Sequence, residues 1–527
     1  MPAAPAAARH VPPVARILAA VAVLALAAFH IRHLAFICDD AFIAFRYARN
    51  LVEGQGLVFN PGERVEGFTS LSWVLIIAAV MRAGGAPERW APLIGAVSAL
   101  ATVAAVMIHL DRRAPWFGIV AGLLLASSAS FAAWATGGLE TGWFTLLVTL
   151  GFLLALAVLE RGTRRLVVLD AALLALAVMT RPEALLIAAA SFAAFALAAA
   201  RGSLAPRRLA LWLVVFAAPV GSLVAWRWGH YGHPWPNTFA VKAGGAAMLT
   251  TGLVYLGGAI TRLHLELLAV PAAFAAALGT RARLPRHATP LIAGAVLPLV
   301  AFIVWLGGDF MDLYRFIVPV MLMLAWLAAA GLAAFGARLA PRTAWGPALA
   351  LLIVAIVIGA WGGLNLRATR DTTRVWNRLG VDSIGLLRED ARDWTLIGRF
   401  FASVAQGSDT LSTTAAGIIP YYSRLYTVDE LGLVAADLTQ YRRLASPRAG
   451  HGLAITGSAL LRSRPQFMVG HPHVSGEAPR SANAVSVEPG WGHRIAPLYE
   501  PFRVALPTEP PRVFTFAVRR DVRGRLP

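Results

Sequence analysis

Two adjacent carboxylates, Asp39 and Asp40, follow directly on a long apolar run. At a membrane surface, beside low dielectric, such a pair can keep one carboxylate as a proton acceptor. The plainer reading is a helix cap with a solvated neighbour, because Asp suits a helix N-terminus and its dipole. Arg46 and Arg49 fall seven and ten residues after Asp39, which on a helix places them on similar faces. There they can meet the carboxylates or a phosphate. The segment continues through the turn Asn60-Pro61-Gly62 to Glu66, for which a solvated loop acid is the plain reading.

Four further loops carry the same residue types. Gly137-Gly138 permits close backbone approach before Glu140, an acid at the start of an apolar run, where ionisable groups are costly and usually functional. A helix cap is the alternative. Thr180-Arg181-Pro182-Glu183 has ordinary capping chemistry around one arginine, Arg181, which serves either a ligand or an ion pair with Glu183 or Glu140. His230 and His233 lack a clear third metal ligand and also fit an interfacial aromatic belt. Asn237 follows them, and then Lys242, the only lysine in the chain. That residue is either a compact ammonium kept for a phosphate or a chance survivor. Finally, Gly307-Gly308 precedes Asp309, Asp312 and Arg315, a cation with a specific partner or one half of a bridge to either acid.

These loops must be positioned by membrane helices. The chain of 527 residues is 58% hydrophobic and 14% charged, outside the soluble range. Runs near 20 apolar residues give about eleven spans. Arginine clusters such as Arg161/Arg164/Arg165 and Arg281/Arg283/Arg286 mark the cytoplasmic side, which predicts the N-terminus inside and the C-terminal region outside. The run Leu71–Met81 is read as a half-helix in the outer interface, and the first apolar run as an uncleaved span rather than a signal peptide. Leu166–Met179 is short for a span, and Arg262, His264 and Glu266 interrupt another.

Residues 1–366 are therefore expected to form an all-α polytopic membrane module. Residues 367–527, where Pro and turn signals return, are expected to form an extracytoplasmic α/β domain. Within it, Asp390–Val404 has helical periodicity, and Asp409–Thr413, Leu425–Val428, Gln466–Val469 and Val513–Val518 have strand character. The net charge of +19 comes with no nucleic-acid-binding signature, and Cys38 alone cannot form an internal disulfide. No P-loop, dinucleotide fingerprint, HExxH or GxSxG motif is present. A transporter or flippase of lipid-linked sugars is the rival class, but the chain has no repeat symmetry and its ionisable residues gather at one face.

Taken together, Asp39–Ser70, the TGGLET at Thr136–Thr141, the TRPE at Thr180–Glu183, Tyr231–Lys242, Gly307–Pro319 and Asp409–Leu433 resemble the GT-C superfamily of membrane glycosyltransferases. They look most like the terminal β-(1→2)-arabinofuranosyltransferase family and its bacterial relatives. The resemblance implies an inverting enzyme of the bacterial inner membrane. It would take a sugar from a polyprenyl-phosphate donor to a cell-envelope glycan or glycolipid acceptor, with Asp39 or Asp40 as the base. Arg46, Arg181, Lys242 and Arg315 would hold the donor phosphate. Glu66, Glu140, His233, Asn237 and Asp309 would contact sugar, and Tyr421 and Tyr422 would offer stacking faces to the acceptor. A divalent cation, Mg²⁺ or Mn²⁺, is an optional bridge between acids and phosphate. Arabinofuranose is the sugar the resemblance names. His233, where relatives carry an acid, leaves pentose and hexose both open.

Overall fold

The computed structural model describes residues 13–113, 116–242, 246–339, 345–378, 380–448, 451–475 and 497–527. Among them, seven helices are long and apolar enough to cross a membrane: Val14–Leu34, Pro87–Asp111, Thr141–Arg161, Pro206–Tyr231, Ala288–Trp305, Arg315–Leu339 and Gly346–Thr372. A bent pair, Met248–Leu263 and Glu266–Ala282, meets at 92° and makes an eighth if counted as one span. The chain is thus a multi-pass membrane protein.

The difference from about eleven spans has local causes. The run Trp116–Ala135 breaks after Ala126, where Ser128 caps a second short helix by accepting from the Phe131 amide. The Asn365 side chain accepts from the Ala129 amide at 2.9 Å. Backbone freed at membrane depth is thereby satisfied inside the bundle. Arg164–Thr180 and Ala184–Ala200 are single helices of 17 residues each. In the last turn of the first helix of the bent pair, the Arg262 side chain reaches Asp312 at 3.0 Å and Asp371 at 2.9 Å. His264 takes a left-handed backbone there (φ 53°).

At the arginine-rich ends, Arg16 pairs with Asp111 (3.3 Å) and Arg113 with Glu160 (2.6 Å). The loops singled out above meet at the other end. Leu71–Met81 is helical, as Leu71–Arg82, and packs on the helix Asp39–Val52. The last bundle helix runs on to Thr372 before the chain turns into the C-terminal domain.

That domain places the helix Ile384–Val404 on a six-stranded mixed sheet. Strands Thr410–Thr413, Tyr426–Asp429 and Phe467–Gly470 pair in parallel, and Arg512–Arg519 adds antiparallel to Phe467–Gly470 and to Tyr499–Leu506. Phe401 packs its ring against Phe467, Phe514 and Phe516, which ties helix to sheet. The four strands read from the sequence are present, each shifted by a residue or so.

The two halves are joined through backbone. The Asp312 amide donates to Asp382 (2.9 Å), and the Asp382 amide donates to Phe310 (2.8 Å). The loop that follows Gly307-Gly308 is therefore held against the C-terminal domain. Gly308 needs its positive φ of 73°, and a side chain there would strike the Tyr255 ring at 2.3 Å.

Candidate active site

The helix Asp39–Val52 is buried along most of its length and begins at the two carboxylates. Asp39 does not cap its own helix. The amides of Gly417 and Ile418 in the C-terminal domain donate to its two oxygens, at 3.1 and 2.6 Å. A Cβ on Gly417 would lie 1.9 Å from the Asp39 carbonyl, so only glycine allows this approach. Burial, with some help from Asp40, pushes the Asp39 carboxyl up to about 7, against the two amides that lower it.

Asp40 turns elsewhere. It faces Arg315 at 3.6 Å and is the one residue shared by the linings of two cavities. The smaller, about 130 Å³, has Glu140, Arg181, Glu183 and Arg315 among its walls, with Ser70, Thr238, Phe302 and Phe316. The larger, about 630 Å³, lies between the bundle loops and the C-terminal domain. Its walls include Asp39, Asp382, Asp390, Asp393, Trp394, His451, His471 and Arg512.

Both cations of the small cavity are held by acids and aromatic faces. Arg181 pairs with Glu140 (2.6 Å) and with Glu183, and its guanidinium lies 4.9 Å from the Phe316 ring centre. Arg315 is 6% exposed, pairs with Asp309 (2.5 Å), and lies over Trp134 and Phe316. Glu140 makes no cap bond, which decides against the capping reading. The ion pairs set beside Arg181 and Arg315 in the sequence exist, and they fix both cations in the cavity wall. Asp309 stands behind Arg315 rather than in either cavity lining.

Several expected ligands do other work. Arg46 is 1% exposed and donates to Phe59, Asn60, Pro420, Leu425 and Thr427. All five guanidinium N–H groups are thus spent on joining the C-terminal domain to the first loop, and none is left for a phosphate. Glu66 is buried against Arg227 (2.9 Å), away from both cavities, with its carboxyl raised to about 7 by burial. The Asn237 amide donates to the carbonyls of Gly432, Leu433 and Ala435, so it clasps the C-terminal domain rather than a sugar. His233 is exposed and lines neither cavity. Tyr421 is covered by Phe42, Phe45 and Arg49, and Tyr422 donates to Glu88 at 2.9 Å. Both rings are half-buried, and neither lines either cavity. The backbone of Lys242 ends the helix Asn237–Lys242, but its side chain lies outside what the structure describes.

The sequence reading missed Thr238, which lies between two of its own candidates. It also missed the polar face of Ile384–Val404, which supplies Asp390, Asp393 and Trp394 to the large cavity. Helical periodicity was visible there, but nothing local says which surface the polar face meets.

Among the described residues, no group of three or more His, Cys, Asp or Glu is arranged to hold a metal. Asp40 and Asp309 both turn toward Arg315, a cation already in place. The residues do not fit an Mg²⁺ or Mn²⁺ bridge, and no step below runs through one.

The chain is a multi-pass helical bundle that carries a small α/β domain, with two cavities that meet at Asp40. The fold matches that of ArnT from Cupriavidus metallidurans, solved bound to undecaprenyl phosphate, with a TM-score of 0.55 and 14% identity, over 97% of this chain and 99% of that one.

In sequence the chain is 27% identical over 332 residues to the terminal β-(1→2)-arabinofuranosyltransferase of Mycobacterium tuberculosis, and 28% identical over 337 residues to that of Corynebacterium glutamicum. Each alignment covers 55% of this chain, and 52% and 47% of the relatives. The chain thus spans about half the length of the curated relatives it matches. Residues 386–513 match a family model described as Domain of unknown function (DUF8728). That region contains most of the C-terminal wall of the large cavity.

Proposed function

We propose that the protein is a glycosyltransferase that moves a sugar from a polyprenyl-phosphate donor to a hydroxyl of a cell-envelope glycan or glycolipid, with inversion. The observation that carries this reading is the position of Asp40 between a small cationic cavity and a large polar one. The donor phosphate sits with Arg181 and Arg315, and the acceptor glycan fills the large cavity. Its hydroxyls meet Asp382, Asp390 and Asp393, and its ring faces Trp394.

Asp40 is the base. Both oxygens of Asp39 are occupied by backbone amides, whereas Asp40 is 31% exposed on its side chain. The acceptor O–H proton passes to Asp40 as the new bond forms to the anomeric carbon. The bond from that carbon to the phosphate oxygen breaks, and its electron pair leaves with polyprenyl phosphate. Arg315 and Arg181 stabilise the charge growing there. They are already oriented by Asp309, Glu140 and Glu183, so little reorganisation is needed. Asp39 holds the C-terminal domain at the correct distance. The relatives support arabinofuranose as the sugar, and the protein works in the bacterial inner membrane with its C-terminal domain outside.

The test is transfer by the full chain in proteoliposomes, from decaprenyl-phosphoryl arabinofuranose to an arabinan acceptor, with product linkage determined by NMR. A product whose anomeric configuration is opposite to the donor's, and whose formation Asp40→Asn abolishes, is expected. Movement of the intact donor across the bilayer with no glycosidic bond formed would overturn the reading.

A further inference from the structure

Besides its two arginines, the wall of the small cavity contains polar groups for which no partner is found among the described residues. Thr238 is 7% exposed, lines this cavity, and its hydroxyl has no partner. A buried hydroxyl without a partner costs free energy unless a ligand completes it. In the same cavity wall the helix Leu71–Arg82 begins at Ser70, which is 5% exposed. Serine at that position ordinarily caps the helix. Here its side chain makes no cap bond. The amides of Leu71, Ser72 and Trp73 are the unpaired donors of a helix start, since the first internal bond is from the Val74 amide to the Ser70 carbonyl. An uncapped N-terminus of a 12-residue helix therefore opens at the cavity edge, beside a buried hydroxyl.

We infer that Ser70, Thr238 and the start of the helix Leu71–Arg82 form the neutral part of a phosphate subsite, which binds the phosphoryl group of a polyprenyl phosphate together with Arg181 and Arg315. The inference rests on the glycosyltransferase reading and adds residues that composition and charge do not reveal. The division has a chemical reason. Arg181 and Arg315 already share the charge of Glu140, Glu183, Asp309 and Asp40, so they cannot satisfy every phosphoryl oxygen. Hydroxyl and amide donors supply the remaining bonds without adding charge that must be neutralised once the product leaves.

The experiment measures binding of a short-chain polyprenyl phosphate to the full chain in detergent or nanodiscs, with the matching polyprenol and inorganic phosphate as separate arms. The variants are Thr238→Val, which keeps the shape, Thr238→Ser, which restores the hydroxyl, and Ser70→Ala. Roughly tenfold weaker phosphate binding is expected for Thr238→Val, and a few-fold for Ser70→Ala. Thr238→Ser should return to near wild type, with polyprenol binding and melting temperature unchanged throughout. If wild type prefers the phosphate over the alcohol and all three variants bind it equally well, the subsite is overturned while the reading stands. If wild type shows no such preference, both fall. Inorganic phosphate binding as tight as the lipid would mark a site for a free anion and overturn the lipid assignment.

Discussion

The two cavities that meet at Asp40 are built in opposite ways. The small one is enclosed by ends of bundle helices, and each of its cations is paired before any ligand arrives. The large one is divided between two halves of the chain and is rich in carboxylates. Arg512 joins Glu389 (2.6 Å) and Asp393 (2.5 Å) there, but Asp390 sits among like charges. The first arrangement suits charge that develops in place and must be met without reorganisation. The second suits a polyhydroxyl ligand that exchanges hydrogen bonds with carboxylates and slides in from outside. On the proposed reading, donor and acceptor meet two different sets of residues, which share Asp40.

Removing that residue should have the largest effect. Asp40→Asn is expected to lower transfer about 10³-fold, with membrane insertion intact. Asp39→Asn should lower it less, through looser docking. Asp40→Asn with full activity would move the base to Asp39 and break the comparison at its centre.

Arg315→Gln is next. It should reduce kcat on the order of 10²-fold and leave acceptor KM near wild type, because the arginine serves the departing phosphate. A change confined to acceptor KM would instead assign Arg315 to the large cavity. Arg46→Met should weaken docking of the C-terminal domain by at least roughly 3 kcal/mol, because several buried carbonyls lose their donor. Limited proteolysis between the halves would report it. If the variant keeps its docking but loses donor affinity, the phosphate role first read from the sequence returns.

Trp394→Ala should raise acceptor KM about tenfold with donor KM unchanged, the loss expected for one sugar-facing aromatic ring. The smallest effect is electrostatic. Burial, with Asp382 and Glu389 adding, pushes Asp390 up to about 7. A folded value raised above the ordinary carboxylate range means stability present at low pH and lost as pH rises through about 7. Asp390→Asn should therefore melt progressively higher than wild type as pH climbs from about 4 to 7, and the gap should level off beyond. A gap that does not change with pH would show that the acid cluster is well solvated.

Much of this was legible in the chain. Hydropathy located the bundle helices, since apolar length is a local property. Turn residues return from about Arg367, and the last bundle helix ends at Thr372. Rare charged residues at helix ends, such as Glu140, Arg181 and Arg315, stand out in the chain because an ion at membrane depth needs a partner, and the three line one cavity.

Partner choice was not legible. Arg46, Asn237 and Arg315 all look like exposed-side polar residues in the sequence. The tertiary structure spends the first two on carbonyls of residues 420–435 and leaves the third facing a cavity. Asp39 and Asp40 are neighbours of one type, yet successive positions on a helix point about 100° apart. One therefore meets the Gly417 amide and the other meets Arg315. Composition and periodicity determine which residues must leave lipid and which must find partners. Which partner each one finds depends on how segments hundreds of residues apart pack together, and that long-range geometry exists only in the folded chain.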